Sequence, residues 1–178
     1  FRWAHPDPDA DADVPDGFAV SEEPDAAWSC WTRSAGARHL RGLALDPTES
    51  WAVSELTRDR LRTAADDRRV LAVQDGEGTR GMTVRTRVAE RELDDGETET
   101  WVEYGAAVWA DPTTARALWA AVARDAAALG ADRTRVLIPE TARHVSDASL
   151  VRAGISDEPD FVMAADLTAD YRADAHLR

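Results

Sequence analysis

Residues 102 to 140 read VEYGAAVWADPTTARALWAAVARDAAALGADRTRVLIPE, and the reading of this stretch decides the fold. Its front alternates. Thr100 to Ala110 sets Val102, Tyr104, Ala106 and Val108 on one face of a long strand, and Trp101, Glu103, Gly105, Ala107 and Trp109 on the other. Asp111-Pro112 then opens a helix, with Asp as N-cap and Pro at the first helical position. The stripe Leu118, Val122, Ala126 and Leu129 recurs at helical spacing, and Gly130 supplies the stop. Arg135 to Pro139 follows as a short strand. A right-handed crossover through this helix requires the two strands to run parallel, with the long one central in a mixed sheet.

Working outward, Phe18 to Ser21 reads as a short strand and Pro24 to Ser34 as a helix carrying Trp28 and Trp31, followed by a strand-like run from His39 to Leu45. Asp46-Pro47-Thr48-Glu49 repeats the helix-start chemistry and predicts a helix from 47 to about 65, with Val53, Leu56, Leu61 and Ala64 inward. Arg69 to Gln74, the turn Asp75-Gly76-Glu77-Gly78 and a return strand form a hairpin. In the return strand Met82, Val84 and Val88 alternate with Thr83, Arg85 and Arg87. A charged loop spans Glu90 to Glu97. Downstream, Thr141 to Ala153 is expected as a helix ending at Gly154, on the sheet face opposite the helix that starts at Pro112. Phe161 to Leu167 is the last strand. One domain is expected from 18 to 167. Residues 1 to 17, rich in Asp, Pro and Ala, read as an acidic linker or the end of a preceding domain, and 168 to 178 as a polar tail.

The chain has 178 residues, of which 44% are apolar and 31% charged, enough to bury a core beneath a densely charged surface. No apolar run approaches the ~20 residues a membrane helix needs. The 21 basic residues are all Arg, and with 34 acids, 22 of them Asp, the net charge is -13. That balance disfavours nucleic acid and anionic membrane surfaces as partners. An acidic excess of this size reads as adaptation to a halophilic cytoplasm, where molar salt shortens the Debye length to ~3 Å and relieves the self-repulsion. The opening FRWAHPDP lacks an initiator Met, which reads as a fragment or a processed chain.

Several chemistries drop out on motif grounds. Cys30 is the single cysteine and the four histidines are scattered, so neither a disulfide framework nor a bound transition metal is expected. Asp7, Asp9, Asp11 and Asp13 imitate the start of a calcium loop without its Gly and Glu. Gly76 to Gly81 matches G-x-G-x-x-G, but the next residues, MTVRTRV, alternate as a strand and offer no helix N-terminus to a pyrophosphate. A nucleophile elbow and a zinc-protease helix are absent, and a phosphate-binding loop of the G-x-x-x-x-G-K-[ST] type is excluded by the lack of Lys.

From Phe18 to Leu167 the order of elements resembles a GNAT-family N-acetyltransferase domain. The resemblance is carried by the stretch quoted at the outset and by the close SLVRAGISDEPDFVMAADL, in which FVMAADL is similar to the family's final Met-x-x-Asp-Leu strand. It implies an α/β fold with a mixed sheet, the acyl-CoA N-acyltransferase fold. It also implies direct transfer from acetyl-CoA to a small-molecule or peptide amine. Glu103 resembles a family general base by position, and His144 is a candidate acid. Ala107, Val108, Trp109, Ala110 and Arg116 lie where a residual acetyl-CoA site is expected. Two departures stand out. The Gly-rich Q/R-x-x-G-x-G/A loop is replaced by Trp109-Ala110-Asp111-Pro112-Thr113-Thr114, and the family's acid Tyr corresponds to Leu150. Phe1-Arg2 placed as the continuation of a preceding unit makes this the second half of a tandem protein. An N-terminal GNAT domain in cis and a homodimer are the expected partners. The competing reading is a non-catalytic ligand-binding or dimerisation module derived from the same fold.

Overall fold

Asp111 is where strand gives way to helix, and the architecture follows from the two elements it joins. In a computed structural model the described residues are 2–4, 13–34, 43–45 and 53–138. Their strands are β1 (Arg2–Ala4), β2 (Ala19–Ser21), β3 (Leu43–Leu45), β4 (Val53–Glu55), β5 (Val70–Asp75), β6 (Gly78–Glu92), β7 (Thr98–Trp109) and β8 (Arg133–Ile138). The helices are α1 (Pro24–Arg33), α2 (Arg58–Asp66) and α3 (Pro112–Ala128). A six-stranded sheet runs in the order β1-β8-β7-β6-β5-β2, and β3 pairs with β4 separately. Within the large sheet β7 and β8 are parallel, as the crossover through α3 demands, and the other neighbours are antiparallel. This is the mixed α/β architecture that the resemblance implies.

The sheet is covered on both faces. On one, Ala115, Trp119, Val122 and Ala126 of α3 pack on Leu71, Val102, Tyr104, Ala107 and Val136. On the other, Ala27, Cys30 and Trp31 of α1 and Leu61 and Ala64 of α2 pack on Val70, Ala72, Met82, Val84, Ala106 and Val108. Each large apolar side chain sealed in this way contributes about 1.5–3 kcal/mol. Helix α3 sits deeper than its predicted stripe, because Ala117, Ala120, Ala121 and Ala123 are buried as well, whereas Leu129 caps the helix and is 39% exposed. Gly130, at φ 68°, provides the left-handed turn that lets the Ala131 N–H return to the Ala126 carbonyl.

The strict alternation expected of β7 fails at its centre. Three steps from Gly105 to Val108 oppose two on β6, from Val84 to Met82, and Ala106 takes φ 53°. This bulge flips the strand. Ala107 joins Val102 and Tyr104 on the α3 face, while Ala106 and Val108 turn to the α1 side. A second bulge inserts Thr86 between Arg85 and Arg87, opposite Tyr104 and Glu103. At both irregularities a threonine stands in for the disturbed ladder. Thr83 Oγ1 donates to the Gly105 carbonyl at 2.8 Å and Thr86 Oγ1 to the Glu103 carbonyl at 3.2 Å. Beyond the Thr86 bulge Val88 is 49% exposed, not inward with Met82 and Val84.

Further expectations are corrected or bounded. Of the helix predicted from 47 to about 65, residues 47 to 52 lie outside the described residues; Val53 belongs to β4, and the helical part begins at Arg58, where Thr57 Oγ1 accepts the Arg60 N–H at 3.2 Å. Arg2–Ala4, inside the segment read as a linker, pairs antiparallel with Val136–Ile138 at the sheet edge. The charged loop shrinks to residues 93 to 97, since the flanking strands extend to Glu92 and from Thr98. The predicted helix 141–153, the strand 161–167, His144, Leu150 and the tail lie outside the described residues.

Candidate functional site

A cleft of about 450 Å³ opens where the C-terminal end of β7 meets the end of α1 and the β5–β6 turn. Val108, Trp109 and Ala110 form one wall; Cys30, Arg33 and Ser34 form the second; Glu77, Thr79 and Arg80 form the third. Each wall is held locally. Helix α1 closes as the Ser34 N–H and hydroxyl both donate to the Trp31 carbonyl, at 3.0 and 2.7 Å. In the turn the Asp75 carboxylate accepts the Glu77 N–H at 2.8 Å, and Gly78 takes φ 116°, a conformation open to glycine at little cost. Trp109 is fixed edge-on against Trp119, ring centroids 5.4 Å apart.

Two arginines face this cleft, and both are engaged. Arg80 donates to Asp111 at 3.2 Å and to Glu77 at 3.1 Å, and stands 3.6 Å from Asp75. These carboxylates, Asp111 foremost, hold the guanidinium firmly in its charged form. Arg33 reaches across from α1 to the Thr79 carbonyl at 3.4 Å. Asp111 itself caps α3, its Oδ1 accepting the N–H groups of Thr113 and Thr114 at 2.9 and 2.8 Å. Partial burial pushes this carboxyl upward, but the hydrogen bonds from Thr114, Arg80 and Thr113 outweigh it and hold it below the ordinary carboxylate range. Cys30 is buried behind Arg33, and desolvation pushes its thiol up to about 11, so it stays protonated and unreactive at neutral pH.

Of the residues picked out from sequence, Val108, Trp109 and Ala110 line the cleft, and Ala107 lies buried beside them, toward α3. Arg116 is exposed one turn along α3, away from the lining. Glu103 is 2% exposed and ion-paired to Arg135, its partner in the parallel ladder. Arg135 Nε donates to Glu103 Oε1 at 3.0 Å, its guanidinium also lies 5.6 Å from the Trp101 ring centroid, and Glu103 Oε2 is buried with no hydrogen-bond partner among the described residues. Gly76 to Gly81 is a hairpin turn, as its alternating sequel predicts. Sequence reasoning missed Arg33 and Arg80, which reach the cleft from elements far apart in the chain.

On the opposite face a buried polar group registers α3 on the sheet. Tyr104 donates to Asp125 at 2.6 Å, and Asp125 is paired with Arg85 at 2.5 Å. Burial first, then the neighbouring Asp125 carboxylate, push the Tyr104 phenol well above its usual range. The hydroxyl therefore serves as a donor, not as a titrating acid. Among the described residues no cluster of His, Cys, Asp and Glu is arranged to hold a metal, and no helix is long and apolar enough to cross a membrane.

The β7–β8 ladder ends at Tyr104 and Val136, one residue before the bulge begins to turn β7 aside. From Gly105 onward the two strands part. No family model and no curated protein matches the chain. Among solved structures, the wild-type protein TTHA1254 of Thermus thermophilus superposes with a TM-score of 0.54 at 14% identity, over 85% of this chain and 98% of that one. Glucosamine-6-phosphate N-acetyltransferase of Arabidopsis thaliana gives a TM-score of 0.47 at 9% identity, over 85% and 99%. An acetyltransferase of Trypanosoma brucei gives 0.46 at 17%, over 84% and 98%. At such identities the first of these likenesses speaks for the fold alone.

Proposed function

We propose that this chain is a GNAT-type domain of an N-acetyltransferase, and that its own cofactor loop is closed from within. The intact protein would transfer an acetyl group from acetyl-CoA to a small-molecule or peptide amine in a salt-rich cytoplasm. This half, following an N-terminal GNAT domain in cis, would shape the substrate cleft or the contact between the two. The parting of β7 from β8 beside an apolar strand end supports the family reading. The observation that carries the rest is the cap on α3. A pyrophosphate needs several converging N–H donors at a positive helix end, and here Asp111 takes the donors of Thr113 and Thr114 with its own carboxylate. Pro112 has no N–H to offer. The residues present do not fit the pyrophosphate of acetyl-CoA, and no catalytic step is assigned to it in this half.

The same cap, beside a cleft that is still open, favours a second reading: a non-catalytic ligand-binding or dimerisation module. Two measurements separate the readings. Isothermal titration of acetyl-CoA into this chain in molar KCl should show no binding in the micromolar range, and micromolar binding would overturn the closed loop. An assay of thiol release against a panel of amines should then find activity only in a longer chain that carries the upstream domain. Silence from that longer chain as well would leave the binding module and remove the transferase.

A further inference from the structure

The N-terminal segment grips both sides of the opening between β7 and β8. On one side is β8 itself. Its ladder with β7 ends at Val136, and among the described residues Leu137 and Ile138 then have only β1 as a strand neighbour, with Trp3 opposite Leu137 and Arg2 opposite Ile138. On the other side is α3, which continues β7 through Asp111. Val14 and Phe18 pack on the cluster of Val73, Ala117, Leu118 and Ala121, the same cluster on which Trp109, at the end of β7, packs. Beside them the Asp13 carboxylate accepts a hydrogen bond from Arg124 Nη2 at 2.7 Å. The Phe18 N–H closes a turn onto the Pro15 carbonyl at 3.2 Å, with Gly17 at φ 87°. The chain then enters β2, at the edge of the sheet opposite to β1. A segment whose composition reads as a linker is thus fastened at both edges of the sheet and to the helix that covers one face.

We propose that this segment is a releasable strut, and that β1 sets how far β7 and β8 stand apart. The two strands do not zip further together, because the bulge at Ala106 turns β7 aside. The end of β8 therefore takes its place in the sheet from β1 alone among the described residues. Take β1 away, and the N–H and C=O groups of Leu137 and Ile138 that it held turn to water or to another neighbour. Release of β1 thus loosens the end of β8 and widens the range of separations between the strands, and its return fixes one of them. The hold is also built to yield. A ladder of three residues belongs to the low-stability end of a sheet, and the Asp13–Arg124 pair is exposed, so β1 can lift off without unfolding the core. The segment stays attached when it does, since Ala19 to Ser21 remain paired with Ala72 to Gln74 at the far edge. This strut concerns the opening alone and holds whichever ligand enters it.

Proline tests the strut at its ladder. Alternate residues of an antiparallel strand bond to the neighbour, so Trp3→Pro combined with Ala4→Pro removes a ladder N–H in either phase. In molar KCl, amide exchange across residues 136 to 138 should then quicken at least about tenfold, while that of Val102 to Tyr104, in the β7–β8 ladder, stays within about twofold. Spin labels on Ala110→Cys and Ile138→Cys should give one narrow distance in the otherwise unaltered chain and a broadened distribution once the prolines are added; Cys30 is buried and stays unlabelled. A cross-link is the opposite perturbation. Opposed residues of an antiparallel pair have Cα atoms about 4.5–5.5 Å apart, within disulfide reach, so Arg2→Cys with Ile138→Cys should oxidise to a bridge that slows the same amides, reversibly on reduction. Exchange or label distances indifferent to the prolines would overturn the strut, and a bridge that does not form would remove β1 from this edge. Loss of protection throughout the β7–β8 ladder in the proline variant would make β1 part of the core, and would equally end its reading as a releasable strut.

Discussion

Gly81 is the point at which β6 passes beneath the start of α3, and replacing it by alanine should destabilise the fold in a calculable way. A Cβ at this position would lie 2.9 Å from Thr114 Cγ2, 3.1 Å from the Val108 carbonyl oxygen and 3.1 Å from Val73 Cγ2. The first contact is closer than carbon atoms tolerate, and the second is with backbone of the neighbouring strand, which is tied into the sheet. Thr114 and Val73 are themselves fully buried, so neither side chain has solvent to retreat into. Overpacking of this kind costs about 1–3 kcal/mol, partly offset by the ~0.5–1 kcal/mol that alanine gains over glycine in the unfolded chain. With no room for Thr114, Val73 or the backbone to give way, the upper part of the overpacking range applies, about 2–3 kcal/mol. The net loss is then about 1–2.5 kcal/mol, or roughly 2–10 °C in melting midpoint for a chain of this size. Urea denaturation and thermal melts, both in molar KCl, would measure it. Thr114→Ser removes the closest methyl while keeping the hydroxyl, so the double variant should recover part of the loss, and the cycle should show coupling of at least about 0.5 kcal/mol. A Gly81→Ala chain as stable as the parent, or a double variant that is strictly additive, would refute this account of how α3 is seated.

Three other outcomes are expected. Because Asp111 is held below its unfolded value of 3.8, its contribution to stability is complete above that pH and is lost as pH falls through the lower folded value. The stability gap between the chain and its Asp111→Ala variant, about 1 kcal/mol from the cap, should therefore persist from about pH 7 to pH 5 and close in stronger acid; a gap independent of pH would contradict it. Tyr104→Phe should cost roughly 1–3 kcal/mol and Asp125→Ala about 3–5, the second leaving Arg85 enclosed without its counter-ion; urea titrations that rank them the other way would undo the registering role given to this group. Finally, the net charge of -13 with no Lys predicts a melting midpoint that climbs from dilute buffer to molar KCl, and a flat series would remove the halophilic reading.

What sequence could reveal depended on whether a pattern carried contrast. The helix after Asp111 was legible because Asp, Pro and a helical stripe agree, and the parallel pairing of β7 with β8 followed from chirality. The bulge at Ala106 was not legible. Gly105 to Trp109 is apolar on either parity, so a reversal of faces leaves no trace in the alternation. Thr57, the cap of α2, was present in the sequence and outweighed by the stronger start motif at Asp46-Pro47, which lies outside the described residues. Arg33 and Arg80 escaped for a different reason: they meet Thr79 and Asp111 only once helix, turn and strand end are assembled, and no short-range spacing encodes that meeting. Glu103 drew notice as a strand glutamate, yet its partner Arg135 becomes visible only with the ladder register.

Two effects of Asp111 stand against a phosphate at the start of α3, and their sizes differ. Displacing the side-chain cap costs about 1 kcal/mol, and breaking a partly exposed pair with Arg80 costs at most about as much again. The charge is the larger obstacle. A carboxylate roughly 4 Å from one phosphate charge, at an effective dielectric near 20, opposes binding by about 4 kcal/mol, close to three decades in affinity, before salt trims it. Asparagine caps a helix about as well as aspartate but carries no charge, so Asp111→Asn isolates the repulsion from the cap. If charge is what closes this loop, Asp111→Asn should gain affinity for acetyl-CoA, and the gain should be largest at the lowest KCl concentration at which the fold persists, shrinking as screening increases. A gain that grows with salt, or no gain while the helix remains capped, would place the block in the missing glycines and donors. Restoring affinity would then require rebuilding the loop itself.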